Sequence, residues 1–211
     1  MTAPALIAPA PSVSVAPSFA VPELSLLRLE FLGQESARIG GHLIKVRRRF
    51  CDILVLLSIH PNGLNGGQLS AGLYGEWAEG QNQTVEVHRL SKLVQVRNKP
   101  YRLVQVVSAD FLEVQQLIAA GRVLEAVRLY RGELLPQSAA PAICEHREFL
   151  HEAVRNAASR CADLEPLWAF VSQFPEDLEL LELLQARMPQ EDVRCSLVAA
   201  RLKITRKKMK V

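Results

Sequence analysis

The first regular pattern of apolar and polar positions begins at Leu27. From Leu27 to Phe31, apolar residues alternate with charged ones, which predicts a half-buried β-strand. Short extended segments are also expected at 36–39 and 42–46, because the Gly-Gly pair between them can form a tight hairpin turn. After these segments the apolar spacing changes from alternating to helical.

Three amphipathic helices are predicted next. Apolar residues at i, i+3, i+4 and i+7 from Phe50 predict a helix over residues 47–59. The same kind of spacing predicts a shorter helix at about 67–73. A third helix is expected at 84–94, with Thr84 as its N-cap.

The third predicted helix separates apolar from basic side chains. Val87, Leu90 and Val94 share one face at i, i+3 and i+7. The other face carries His88, Arg89, Ser91, Lys92 and Gln95. Two strands, at 94–97 and 101–107, are expected to follow as a hairpin. Strands, three helices and a hairpin, in this order, are the layout of a winged helix-turn-helix.

Beyond residue 107 the apolar spacing is helical throughout. Phe111, Val114, Leu117 and Ile118 form one stripe, and a second stripe begins at Leu124. Further helices are expected at 142–161, 163–173, 177–188 and 190–204. The predicted fold class is therefore mainly α with a small β component, a winged helix-turn-helix domain followed by an all-α helical domain.

Charge is distributed unevenly along the 211 residues, although the net charge is only +3. Residues 23–107 contain 11 basic and 7 acidic residues, residues 108–200 contain 8 and 15, and the last 11 contain 6 and none. A basic front half joined to an acidic back half indicates two modules with different partners. The predicted organisation is a disordered Pro/Ala-rich arm at 1–22, the winged-helix domain at 23–107, the helical domain at 108–204 and a basic tail at 205–211.

The composition argues against membrane-bound and secreted classes. No apolar run approaches the roughly 18 residues of a membrane-spanning helix. The first 22 residues contain no Lys or Arg, whereas a secretory signal begins with positive charge. The four cysteines show no paired spacing, which is typical of reduced thiols in a cytosol. We therefore expect a cytoplasmic protein with no membrane partner.

Neither a metal, a cofactor nor a catalytic site is expected. Cys144, His146, His151 and Cys161 match no standard zinc spacing. The glycines near residue 66 lack the Lys-Ser/Thr pair that follows in a phosphate-binding loop. No nucleophile–base pair or carboxylate dyad is recognisable, so we expect a protein that is not an enzyme.

Several segments resemble a known family of bacterial regulators. Residues 96–103 (Val-Arg-Asn-Lys-Pro-Tyr-Arg-Leu) are similar to the wing of response-regulator winged-helix domains, and residues 86–93 resemble their recognition helix. Residues 59–75 resemble the segment that precedes the recognition helix in those domains. Residues 117–136 are similar to the bacterial transcriptional activator domain, a tetratricopeptide-like module. Over residues 26–160 the chain thus resembles regulators of the antibiotic-regulatory-protein class and GAF-linked transcriptional regulators.

The layout and the resemblance imply the same DNA-contacting residues. A helix about 10 Å across fits the major groove, where basic and hydroxyl side chains suit base edges and phosphates. The candidate DNA-binding residues are Arg47, Arg48, Arg49, Thr84, His88, Arg89, Ser91, Lys92, Arg97, Lys99 and Arg102. Ordinary structural roles stay open for some of them, because Thr84 can cap a helix and the arginines at 47–49 can simply border a strand–helix junction.

Two functions from different classes are compatible with this sequence. The first is a sequence-specific transcription regulator that binds double-stranded DNA. Its helical domain would contact a second copy of the chain, as in a homodimer, or transcription machinery such as RNA polymerase subunits. The second is a winged-helix adaptor that does not bind DNA and acts through protein contacts of the helical domain. Partner binding that survives charge reversal at Arg89 and Lys92 would favour the adaptor.

Overall fold

Three antiparallel strands begin the described part of the chain, where the alternating pattern predicts them. The computed structural model describes residues 26–75 and 83–209, and the arm predicted at 1–22 lies outside these residues. The strands are β1 (Leu27–Glu30), β2 (Ser36–Ile39) and β3 (His42–Ile44). Gly40 and Gly41 turn the chain between β2 and β3 at φ +55° and +84°, which glycine adopts without steric cost.

Three helices and a short hairpin follow the strands. They are α1 (Arg48–Ile59), α2 (Gly66–Tyr74), α3 (Gln83–Leu90), β4 (Val96–Arg97) and β5 (Arg102–Leu103). Helix α1 contacts both α2 and α3, and every residue from 50 to 57 is buried. Helix α2 begins with a capping box, in which Asn65 and Gln68 each accept the other's backbone N–H at 2.9 Å. This capping fixes where the second helix starts.

The third helix differs from its predicted bounds. Helix α3 ends at Leu90 rather than at Val94, and residues 91–94 form a turn. Val94 is buried in this turn, and its N–H donates to the Leu90 carbonyl at 3.1 Å. The prediction of Thr84 as the N-cap is wrong, since the helix already includes Gln83.

The strand after the hairpin pairs with the first strand of the chain, which the sequence pattern does not predict. Instead of a single strand over 101–107, β5 is short and a separate strand, β6 (Val107–Ala109), lies parallel to β1. The resulting sheet has the order β3-β2-β1-β6, while β4 and β5 form a sheet of their own. The carboxylate of Asp110 supports this edge by accepting the N–H groups of Phe31 and Leu32 at 3.1 and 3.0 Å.

The rest of the described chain is helical, as its periodicity predicts. The helices are α4 (Asp110–Ala119), α5 (Val123–Leu129), α6 (Pro141–Arg160), α7 (Leu164–Gln173), α8 (Leu178–Arg187) and α9 (Cys195–Lys208). Helix α9 starts later and ends later than the predicted 190–204. The delay arises from a turn in which the Asp192 carboxylate accepts the Arg194 N–H at 2.9 Å.

The sheet-bearing front half and the helical back half share one hydrophobic core. Leu32 and Leu134 form an isolated antiparallel bridge, and α2 packs against α6. Contacts therefore cross the boundary predicted between residues 107 and 108. The fold class is the predicted one, mainly α with a small β component and a winged helix-turn-helix followed by a helical unit. Among the helices at 26–75 and 83–209, none combines the length and apolar character needed to cross a membrane.

Candidate nucleic-acid interface

Helix α3 buries the aliphatic side chains that its spacing assigns to the core, whereas Val85, outside that spacing, is 38% exposed. Val87 and Leu90 are 1% and 0% exposed, and Val94 in the following turn is 2% exposed. These residues anchor the helix because α3 contacts both α1 and α2. The solvent-facing residues on α3 and the turn after it include Thr84, His88, Arg89, Ser91 and Lys92. The basic face of α3 is therefore accessible.

The Arg89 side chain on α3 is weakly held by the protein itself. Arg89 Nη1 lies 3.0 Å from Glu86 Oε1, one turn earlier on the helix, and the Arg89 side chain is 54% exposed. An exposed pair of this kind contributes roughly 0–1 kcal/mol, so the guanidinium can exchange the carboxylate for another anion at small cost.

Ser91 Oγ donates to the His88 carbonyl at 2.8 Å and keeps its lone pairs as acceptors.

The hairpin β4–β5, which we call the wing, is anchored to the loop before α2. Tyr101 and Leu64 exchange backbone hydrogen bonds of 2.8 and 3.0 Å, so the loop adds a third extended segment to the hairpin. Arg97 and Arg102 lie directly opposite each other on the two strands. Arg97 is exposed, Arg102 is half-buried, and Lys99 is exposed in the turn between them. The wing thus carries three cations next to the helical core.

Glycine at position 63 permits the close contact between this loop and the wing. Its φ of +91° lies in the left-handed region, which side chains disfavour. A Cβ at this position would lie 2.9 Å from Pro100 Cγ and 2.9 Å from the Tyr101 carbonyl oxygen. A larger residue at Gly63 would therefore displace the wing.

The three arginines at the start of α1 have different surroundings. Arg47 and Arg48 are exposed. Arg49 Nη1 instead donates to Asp52 Oδ2 at 3.2 Å, and its guanidinium lies 4.7 Å from the centroid of the Tyr74 ring. The cation–π contact and the ion pair engage Arg49 within the protein, where it joins α1 to the end of α2.

Asp52 is a buried carboxylate that the sequence pattern does not single out. It is 3% exposed, and its Oδ1 accepts the hydroxyl of Ser138 at 2.6 Å, from the loop that precedes α6. Burial raises the pKa of Asp52, and the hydrogen bond from Ser138 opposes that rise. The signal in the sequence is one acidic residue inside an apolar run from Phe50 to Leu57. This contact ties the first helix of the winged helix to the helical half.

The residues considered as metal ligands lie in separate environments. His146 Nε2 lies 3.3 Å from the Gln115 side-chain amide, whereas His151 Nδ1 lies 3.2 Å from the Tyr130 hydroxyl. Burial lowers the pKa of His146, which favours the neutral ring at its partly buried position. Of the residues that the structure describes, no three or more His, Cys, Asp or Glu side chains are grouped to hold a metal ion.

No family model matches the chain. The chain is similar to a protein of known sequence and to a solved structure. The chain is 30% identical over 182 residues to a Rhodococcus erythropolis protein described as an uncharacterized 47.3 kDa protein in the thcA 5′ region. That match covers 83% of this chain, which spans only 42% of the relative's length. Mycobacterium tuberculosis EmbR, solved in complex with a low-affinity phosphopeptide, aligns with a TM-score of 0.46 and 18% identity. The alignment covers 88% of this chain and 60% of EmbR.

Proposed function

We propose that the chain is a transcription regulator that binds double-stranded DNA. Helix α3 enters the major groove, and the wing contacts the adjacent backbone or minor groove. The observation that carries this proposal is the division of α3 into a buried aliphatic face and an exposed face bearing Arg89. A helix held from beneath in this way can present polar side chains to base edges while its own packing stays intact.

The charge around α3 and the wing supports an anionic partner. Residues 83–107 contain five Lys or Arg residues and one acidic residue, Glu86. Arg97 and Arg102 are directly opposite in the wing, and like charges in that arrangement destabilise a hairpin. A phosphate placed beside them removes this repulsion. Phosphate contacts of this kind supply orientation and much of the affinity, while base contacts from α3 supply specificity.

The candidate DNA-binding residues fall into two groups, those engaged within the protein and those accessible to DNA. Arg49 is engaged with Asp52 and Tyr74, so we assign it a structural role at the base of α1. The proposed DNA contacts are Arg47, Arg48, Thr84, His88, Arg89, Ser91, Lys92, Arg97, Lys99 and Arg102. Among these, Arg89 and Lys92 are proposed to enter the groove, and the arginines before α1 to contact phosphates on its flank.

The helical half is proposed to make the protein contacts of the regulator. Its excess of acidic residues disfavours contact with DNA, so we assign it to a second copy of the chain or to the transcription machinery. The hydrogen bond from Ser138 to Asp52 supports a further role for this half in holding α1 in place. A change in the helical half can thereby reach the DNA-binding helices through a direct contact.

The experiment is selection of binding sites from random duplexes, followed by fluorescence anisotropy with the full chain. We expect a defined motif, and about 5- to 150-fold weaker binding for Arg89→Ala, corresponding to roughly 1–3 kcal/mol. The matched control is Arg122→Ala, because Arg122 forms the same kind of exposed i, i+3 pair with Glu125 in the acidic half. Equal losses for the two variants, or no enriched motif, would contradict the proposal.

A further inference from the structure

The outer face of helix α9 carries an apolar stripe beside a groove. Leu197 and Ile204 are 61% and 53% exposed, and they lie two turns apart on the same face of the helix. Between α9 and α7 is a solvent-open cavity of about 370 Å³. Its apolar lining includes Leu197, Ile204, Trp168, Val171 and Pro175. We call this surface the α9 groove.

Helix α9 has one face in the core and apolar side chains on its other face. Helix α7 packs against α8, and α8 packs against α9, so the helices form successive layers. Val198 and Leu202 face inward and are each 2% exposed. Leu197 and Ile204 are instead more than half exposed beside an apolar cavity, which indicates an interaction site.

Helix α9 carries exposed cations, of which Arg201 lines the groove. Arg201, Lys203 and Lys207 are exposed, and none of them forms a salt bridge within residues 26–75 and 83–209. Arg206 and Lys208, by contrast, are each paired with a glutamate at 2.7 Å. Arg201 itself lines the apolar cavity. The groove therefore combines an apolar floor with the positive charge of Arg201.

We propose that the α9 groove binds an acidic amphipathic helix of a partner protein. Such a helix would place aliphatic residues at i, i+4 and i+7 against Leu197, Ile204 and Trp168, which is the usual way a groove takes up a helix. Glutamates beside that stripe would face the cations of α9, Arg201 first among them. A second copy of the chain is a poorer occupant, because two α9 faces related by a two-fold axis would oppose their own cations.

The test uses the full chain and a labelled synthetic peptide, with no DNA present, so its result is independent of the proposed DNA binding. The peptide is about 18 residues long, with leucines at i, i+4, i+7 and i+11 and glutamates beside them. One matched peptide replaces every glutamate by glutamine, and another replaces every leucine by serine. We expect the Glu/Leu peptide to bind about tenfold or more tightly than either, with an affinity that falls as salt is raised.

Variants of α9 connect that binding to the groove. Ile204→Glu should weaken it by about tenfold or more, whereas Ala199→Glu, at an exposed position that does not line the groove, should change it by no more than about twofold. Thermal unfolding checks that both variants fold, and Leu197→Gln replaces Ile204→Glu if that variant does not. Absence of binding, equal affinity for the glutamine peptide, or no effect of Ile204→Glu or its replacement would overturn the proposal. If sedimentation shows a dimer that the same groove variant dissociates, the proposal is overturned in favour of a second copy of the chain as the occupant.

Discussion

Removal of the Ser138 hydroxyl should weaken the link between the helical half and the winged helix. In Ser138→Ala, Asp52 loses a donor at 2.6 Å, and the N–H of Ala140 loses an acceptor at 3.2 Å. Asp52 is 3% exposed, so water cannot freely replace that donor, and the 3.2 Å contact with Arg49 is left to hold the carboxylate. Hydrogen bonds to a charged group are worth about 1.5–3 kcal/mol, so we expect a loss of that size in the free energy of unfolding at neutral pH.

The loss of unfolding free energy in Ser138→Ala should depend on pH, and the protonation of Asp52 determines whether it grows or shrinks as pH rises. Burial raises the pKa of Asp52 in the folded state above its ordinary value of 3.8, so folding loses stability as pH rises through the raised value. The Ser138 hydrogen bond lowers that pKa, and its removal raises the pKa further. The difference in unfolding free energy between the wild type and Ser138→Ala should therefore grow from about pH 4 to about pH 7.

The assay is urea denaturation followed by far-UV circular dichroism across that pH range. Ser196→Ala is the control, because Ser196 is exposed and its hydroxyl donates only to the Val193 carbonyl, at 3.2 Å. We expect the control to stay within about 0.5 kcal/mol of the wild type. A Ser138→Ala protein equally close to the wild type at neutral pH, or a difference independent of pH, would refute the reasoning.

Five further substitutions give three tests of the winged helix. Gly63→Ala should cost about 1–3 kcal/mol in thermal unfolding because of its φ of +91° and the 2.9 Å approach to the wing, and an unchanged melting temperature would contradict this. Arg49→Met should lower the free energy of unfolding, measured by urea denaturation. Arg48→Met should lower only the affinity for DNA, measured by fluorescence anisotropy. The reverse pattern would contradict the roles assigned to the two arginines. Leu90→Ala should lower the free energy of unfolding, measured by urea denaturation, by about 2–5 kcal/mol. Leu93→Ala, at an exposed position, should lower it by about 0.5 kcal/mol or less. Similar losses for the two variants would count against the burial of Leu90.

Local apolar spacing predicts helices well where it extends over several turns. Helix α6 is expected at 142–161 and occurs at Pro141–Arg160. The end of α3 shows where the same reasoning fails. Val94 continues the spacing of Val87 and Leu90 and is buried, yet it reaches the core through a turn. Spacing indicates which residues face the core and does not distinguish a continuing helix from a turn at its end.

Contacts between distant segments are beyond the reach of local patterns. The parallel pairing of β6 with β1 joins segments about 80 residues apart in the chain, and the Asp52–Ser138 hydrogen bond spans 86 residues. The three arginines at 47–49 are equivalent in sequence. Arg49 differs from its neighbours because Asp52 and the ring of Tyr74 meet it in the folded chain. The basic face of α3 was predictable because it depends on helical geometry alone.

The salt dependence of DNA binding is the most direct measurement of the central proposal. For the selected duplex, the logarithm of the association constant should fall linearly with the logarithm of salt concentration, with a slope of about −0.9 per phosphate contacted. We predict that Arg97→Ala makes this slope shallower by about 0.9, while Arg122→Ala leaves it unchanged. A slope near zero for the wild type, or an identical slope for Arg97→Ala, would contradict DNA binding through α3 and the wing.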